Sequence, residues 1–147
     1  MREVFKDIKG FEGLYAVSNL GNVKRHTTEA KNGTGNYYRK EHLLSQRKNN
    51  KGYFSVDLYK NNVRHQCLVH RLVAEQFIGN PNNYPCVNHK DENNANNSAD
   101  NLEWCTQKYN NNYGQHARRI AVHFEKPILQ FDLAGNFIAR YRSTWDA

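Results

Sequence analysis

Cysteine, proline and methionine are scarce in this sequence of 147 residues, at three, three and one. Cys67, Cys86 and Cys105 are odd in number and no two stand in a CxxC spacing. That excludes a complete disulfide framework and a cysteine-rich zinc site. Three small buried side chains in a reducing compartment is the simplest use for them. Long apolar runs are also missing. Nothing approaches the stretch of about 18 residues that spans a bilayer, and residues 1–7 lack the apolar segment of a signal peptide. These absences predict a soluble, intracellular chain with no membrane partner. Disorder throughout is excluded by a hydrophobic content of 38% with 12% aromatics.

Acidic residues are scarce in one half only. Residues 1–71 hold 14 Lys and Arg against 6 Asp and Glu, whereas residues 72–147 hold 7 against 8. The net charge of +7 and a pI near 9.4 therefore reside in the leading half. Such an asymmetry points to a polyanionic partner.

Along the chain, residues 4–25 read as short strands, with Leu14 to Val17 strand-like and turns at Gly10, Gly13 and residues 18–22. Residues 26–51 are polar and basic, with a loop at 31–36 and a charged turn at 47–51. Phe54, Val56 and Leu58 alternate with polar residues, and 63–68 return across Lys60-Asn61-Asn62, which predicts a hairpin. Residues 69–78 switch to helical spacing, with Val69, Leu72, Val73, Gln76 and Phe77 on one face and Gly79 as the stop. A polar segment, 86–104, opens on a short strand and returns at Leu102-Glu103-Trp104. Thr106 is the expected N-cap of a further helix with Tyr109, Tyr113, Ala117 and Ile120 as its buried stripe, weakened by Gly114. Two strands at 127–131 and 137–141 follow. Residues 143–146 then have the form of a capping box, as if a last helix were truncated.

The candidate chemistry lies in Val87-Asn88-His89. Adjacent side chains of a strand point to opposite faces, so Asn88 and His89 serve one site only where the strand bends. A helix across the hairpin brings Asn110 toward the same cleft. Histidine supplies a base near neutral pH, and amide and carboxylate oxygens suit a hard divalent cation. By spacing alone a surface turn is the commoner use of such residues.

The ordered clusters Val69-His70-Arg71-Leu72-Val73-Ala74, Phe77-Ile78, Asn80-Pro81, Val87-Asn88-His89-Lys90-Asp91, Asn96-Asn97 and 101–106 (NLEWCT) resemble the HNH homing endonucleases of phages. Asp7-Ile8, residues 10–13 (GFEG), Val17-Ser18-Asn19 and Gly21-Asn22-Val23 resemble the module that precedes such nuclease domains. Residues 126–132 with Gly135 resemble a DNA-binding element that follows them. The resemblance implies an α+β chain of small antiparallel hairpins around a ββα-metal nuclease core in an extended modular arrangement. Its parts would be 1–68, a β-rich DNA-binding module; 69–120, the nuclease domain; and 121–147, a hairpin module. It also implies His89 as general base, Asn101 as the residue that ties the loop, and Asn88 and Asn110 as ligands of one Mg²⁺ or Mn²⁺ ion. Several relatives carry Asp where this chain has Asn88. Asp91, the nearest carboxylate, reads as structural, and His70 as packed against the hairpin.

The implied substrate is double-stranded DNA, met by a monomer inside a phage-infected or bacterial cell. Lys24, Arg25, Arg47, Lys48, Lys51, Arg64, Arg118 and Arg119 are candidate phosphate contacts. Gln66 on the 53–68 ribbon is a candidate reader of base edges. A DNA-binding relative with a decayed site is the alternative, favoured by Asn88. RNA is disfavoured because no platform of exposed aromatics is evident.

Overall fold

The computed structural model describes residues 2–114 and 127–141, and its chain forms two compact units, 1–110 and 111–147. The first unit is mostly strand, and the helix Gln107–Asn112 crosses its bound at residue 110. Its elements run β1 (Phe5–Asp7), β2 (Tyr15–Ser18), β3 (Val23–Arg25), β4 (Thr28–Asn32), β5 (Gly35–Arg39), β6 (His42–Leu43), β7 (Arg47–Lys48), β8 (Phe54–Lys60), β9 (Val63–Leu68), α1 (Val69–Phe77), β10 (Cys86–His89), a 3₁₀ turn (Ala99–Asn101), β11 (Leu102–Cys105) and α2 (Gln107–Asn112). Strands β1-β2-β3-β6 form one antiparallel sheet, β7-β8-β9 a second, and β4-β5 and β10-β11 are separate ribbons.

The expected hairpin is present as β8 and β9. Asn61 and Asn62 both take positive φ (52° and 62°). Two left-handed residues twist a two-residue turn in the sense that the flanking strands need, and asparagine tolerates that region well. Alternation buries Val56 and Leu58 and turns Asp57 and Tyr59 outward. The ribbon is not free, however, because Arg47–Lys48 adds a third strand to it. The charged turn is thereby shortened to residues 49–52. The loop expected at 31–36 is instead the turn of the β4–β5 ribbon, paired from Thr28↔Arg39 to Asn32↔Gly35.

Helix α1 supplies the centre of the core. Val69, Leu72 and Val73 are buried as expected, but so are His70 and Ala74, while Gln76 and Phe77 are only half-buried. The helix packs against strands from both larger sheets and the β10–β11 hairpin, so its buried face is wider than one stripe. It ends without help from Gly79: Ile78 turns extended and its N–H bonds Ala74 O.

Ile8, Tyr15 and Val17 share one core with Leu58, Val73 and Leu102. The division expected at residue 68 is therefore not a boundary of packing. Val17, Leu58, Val69 and Val73 are completely buried, and each contributes about 1.5–3 kcal/mol through lost contact with water. Polar ties cross the same line. Ala99 N–H donates to Asn19 O (2.8 Å), and Lys6 Nζ to Gln76 O (3.0 Å). Trp104 anchors the far end of the hairpin, its indole N–H bonding Ile78 O at 3.1 Å.

Thr106 caps α2, accepting the Tyr109 N–H at 3.1 Å. The expected stripe is not seen in the described part of this helix: Tyr109 is 47% exposed and no residue of α2 is buried. Ala117, Ile120, Arg118, Arg119 and the capping box at 143–146 lie outside the described residues. All three cysteines are free.

In the second unit, β12 (Ile128–Phe131) pairs with β13 (Phe137–Tyr141) as expected. Asp132 closes the turn by accepting the N–H groups of Ala134 (2.9 Å) and Asn136 (2.8 Å).

Candidate active site

Directly opposed residues of an antiparallel pair share a face. In β10–β11 the pairs are Cys86↔Cys105, Val87↔Trp104, Asn88↔Glu103 and His89↔Leu102. Val87, Trp104, His89 and Leu102 thus share the face packed by α1, and Cys86, Cys105, Asn88 and Glu103 share the other.

His89 is 3% exposed and its Nε2 lies 3.2 Å from Asn97 Oδ1. A carbonyl oxygen only accepts, so the neutral ring carries its proton on Nε2 and keeps Nδ1 as its basic nitrogen. The ring stands edge-on to His70 (5.2 Å between centroids) and near Tyr53 (5.9 Å), while Tyr53 and His70 lie 5.0 Å apart. Burial pushes His70 down to about 4, with the His89 and Arg71 charges adding to the effect, so His70 is neutral at physiological pH. Its Nδ1 is buried without a partner among the described residues. His70 is thus packed against the hairpin, as the sequence suggested. Burial also lowers His89, opposed by the Asn97 bond and the Asp91 charge.

Asn97 is itself held from behind. Gly21 adopts φ +90°, and a Cβ added there would stand 2.8 Å from Asn97 Cβ. Only glycine combines that backbone with so close an approach. The turn at 18–22 thereby braces the residue that braces His89.

The loop after His89 is closed by amides. Asn101 Nδ2 donates to Asp91 Oδ1 (2.8 Å) and to Asn96 O (2.9 Å), and Asn101 Oδ1 accepts the Asp91 N–H (3.1 Å). Asn96 Nδ2 donates to Asp91 Oδ2 at 2.7 Å. Asn101 thus bonds the loop at both Asp91 and Asn96. The Asn96 bond first, then those of Asn93 and Asn101, hold the Asp91 carboxyl below its usual 3.8. A group depressed in this way contributes stability that is complete above 3.8 and is lost as pH falls through its folded value. Asp91→Asn is therefore expected to flatten the acid limb of a melting temperature–pH curve below about pH 4, measured by circular dichroism.

On the opposite face, Asn88 (7% exposed) donates its Nδ2 to Glu103 Oε1 at 2.8 Å. Asn110 Oδ1 lies 3.9 Å from Cys105 Sγ. Asn88, Glu103 and Asn110 thus gather around one face and His89 points to the other. Among the described residues no hydrogen bond or ring contact links His89 to Asn110. No group of three or more His, Cys, Asp or Glu side chains is placed to hold a metal among those residues. The amide and carboxylate oxygens of Asn88, Asn110 and Glu103 are hard donors, which fit a hard divalent cation.

The candidate DNA contacts divide into two groups. Lys24 is paired with Glu41 (3.0 Å), Arg25 donates to Lys40 O (3.2 Å), and Arg47 and Arg64 both bind Asp57. Lys48, Lys51 and Gln66 are exposed. The 53–68 segment presents its outer face, whereas β4–β5 pairs with no third strand among the described residues and exposes Tyr38 (70%) and Arg39. Exposed aromatics are thus present after all, with Tyr37 and Tyr59 also on the surface.

Residues 3–59 match the family model of the NUMOD4 motif and residues 67–112 that of the HNH endonuclease. Two relatives described as uncharacterized HNH endonucleases, from Acanthamoeba polyphaga mimivirus, are 44% identical over 65% of this chain and 37% identical over 99% of it. DNA endonuclease I-HmuI of Bacillus phage SP01 is 39% identical over 72% of it. The chain spans 28%, 34% and 54% of the lengths of these three relatives. The solved structure of the HNH homing endonuclease I-HmuI superposes with a TM-score of 0.60 at 34% identity, covering 97% of this chain and 79% of that one. The chain belongs to the HNH endonuclease family.

In this member of the family the HNH-matched segment contains α1, the β10–β11 hairpin and its loop. Gly21 and Tyr53 fall in the NUMOD4 segment, yet they abut the loop and the imidazole. Sequence reasoning missed Asn97, Glu103, Tyr53 and Gly21 as parts of the site. Only strand register, which places 103 opposite 88, held a signal for one of them.

Proposed function

We propose that this HNH endonuclease hydrolyses a phosphodiester bond of double-stranded DNA at a specific site. His89 is the general base, and one Mg²⁺ or Mn²⁺ ion is held by Asn88 and Asn110. The observation that carries this reading is the imidazole fixed by Asn97, which leaves Nδ1 as the basic nitrogen. His89 takes the proton of the attacking water as the new P–O bond forms and the bond to the leaving sugar oxygen breaks. Asn101, Asn96 and Asp91 keep the loop closed and so hold the strand end that carries the base. When bound, the divalent ion supplies positive charge against the transition state and the leaving oxygen. Lys48, Lys51, Gln66 and the β4–β5 ribbon bind the duplex around the cut, and Arg118 and Arg119 join them on the phosphates. The protein acts as a monomer in the interior of a bacterial or phage-infected cell, a setting supported by the Bacillus phage relative.

One observation favours a binding protein without catalysis: Asn88 and His89 occupy opposite faces of their strand. A nicking assay separates the two. Supercoiled plasmid is expected to relax with Mg²⁺ or Mn²⁺ and to stay supercoiled with a chelator. A plasmid shifted on a gel but left intact under every metal condition would establish binding alone. Relief of both effects by excess RNA would move the substrate to RNA.

A further inference from the structure

The ion site proposed above has a chemical weakness, because a neutral amide holds a divalent cation less firmly than a carboxylate does. Asp91 does not make up the charge: Asn93 N–H, Asn96 and Asn101 occupy both of its oxygens. Across the hairpin, however, Glu103 is in direct register with Asn88 and accepts its Nδ2 hydrogen at 2.8 Å. Two consequences follow from that bond. An amide that gives its NH₂ to a carboxylate carries its carbonyl oxygen on the other branch of the same planar group, pointing away from that carboxylate. The negative charge beside the NH₂ also shifts electron density toward that oxygen, which makes it a better donor to a hard cation. The face shared by Asn88 and Glu103 continues through Cys105 to Asn110 Oδ1.

We propose that Glu103 is the positioning residue of the cation site, fixing the Asn88 amide with its oxygen presented as a ligand and supplying the negative charge that the amide lacks. This rests on the reading that Asn88 holds the ion. A partner of this kind acts from behind the ligand, and its loss lowers metal affinity by about 10–100-fold.

The test uses Mn²⁺ alone, titrated into the full chain and followed by the electron spin resonance of the free ion. Glu103→Gln keeps an oxygen for the Asn88 hydrogen and removes only the charge, so the fold is retained, and equal melting temperatures verify this. The Mn²⁺ dissociation constant is expected to rise about 10–100-fold in Glu103→Gln. In Asp100→Asn, which removes an exposed carboxylate of the same loop, it is expected to stay at the wild-type value. Wild-type affinity in Glu103→Gln would overturn the proposal and leave the bond as a cross-strand strut. An equal loss in Asp100→Asn would overturn it too, since any nearby charge would then serve. If the wild-type chain takes up no Mn²⁺ at all, the cation-site reading itself fails, and this proposal falls with it for that separate reason.

Discussion

Alanine at position 89 is expected to lower the plasmid nicking rate by about 10²–10⁴-fold, the usual contribution of a positioned general base. DNA affinity should be almost unchanged, because an imidazole only 3% exposed adds little to the surface that a duplex can touch. Asn97→Ala provides the companion measurement. It leaves the base in place and removes the acceptor 3.2 Å from Nε2, freeing both the tautomer and the ring angle. Its loss of rate should be smaller than that of His89→Ala. A double variant should be no slower than His89→Ala alone, since the two residues act through one ring. Nicking by His89→Ala at the wild-type rate would remove position 89 from the chemistry.

The second large effect is expected far from the cleaved bond in sequence. Gly21→Ala places a methyl group 2.8 Å from Asn97 Cβ on a backbone at φ +90°. Left-handed strain costs a non-glycine residue about 1–2 kcal/mol, and forcing a methyl group into a packed contact costs about 1–3 kcal/mol more. A loss of about 2–5 kcal/mol in urea denaturation is therefore expected. Because the displaced atom belongs to Asn97, the nicking rate of the variant should fall even at temperatures where it remains folded. A variant with wild-type rate and wild-type stability would show that the turn at 18–22 does not bear on the loop.

Much of the fold was legible because burial leaves a periodic trace. Val56 and Leu58 announced β8, and Val69, Leu72 and Val73 announced α1. The β4–β5 ribbon left no such trace. Residues 35–39 are exposed throughout, so no alternation distinguishes that strand from a loop. The stop of α1 was misread because Gly79 is a plausible terminator, yet the helix ends one residue earlier when Ile78 turns extended. Within the proposed site, His89, Asn88, Asn101 and Asn110 are named by family resemblance. Asn97 was not, because the 88–101 segment is crowded with asparagines of identical chemistry, and only the closed loop decides which one meets the imidazole. Glu103 leaves no such signal in the sequence, where Asp91 is the carboxylate nearest to Asn88. In the hairpin, the residue 15 positions away is the one in contact.

The core that runs through both matched segments has a consequence for how such a protein diversifies. Recombination between relatives with a crossover at residues 60–66 would separate Ile8, Tyr15 and Val17 from the helix and hairpin they pack against. Progeny of that kind inherit mismatched halves and should be recovered as insoluble or protease-sensitive products. On the proposed reading, new target preferences are expected to arise by point changes on the β4–β5 ribbon, where residues 35–39 are all exposed.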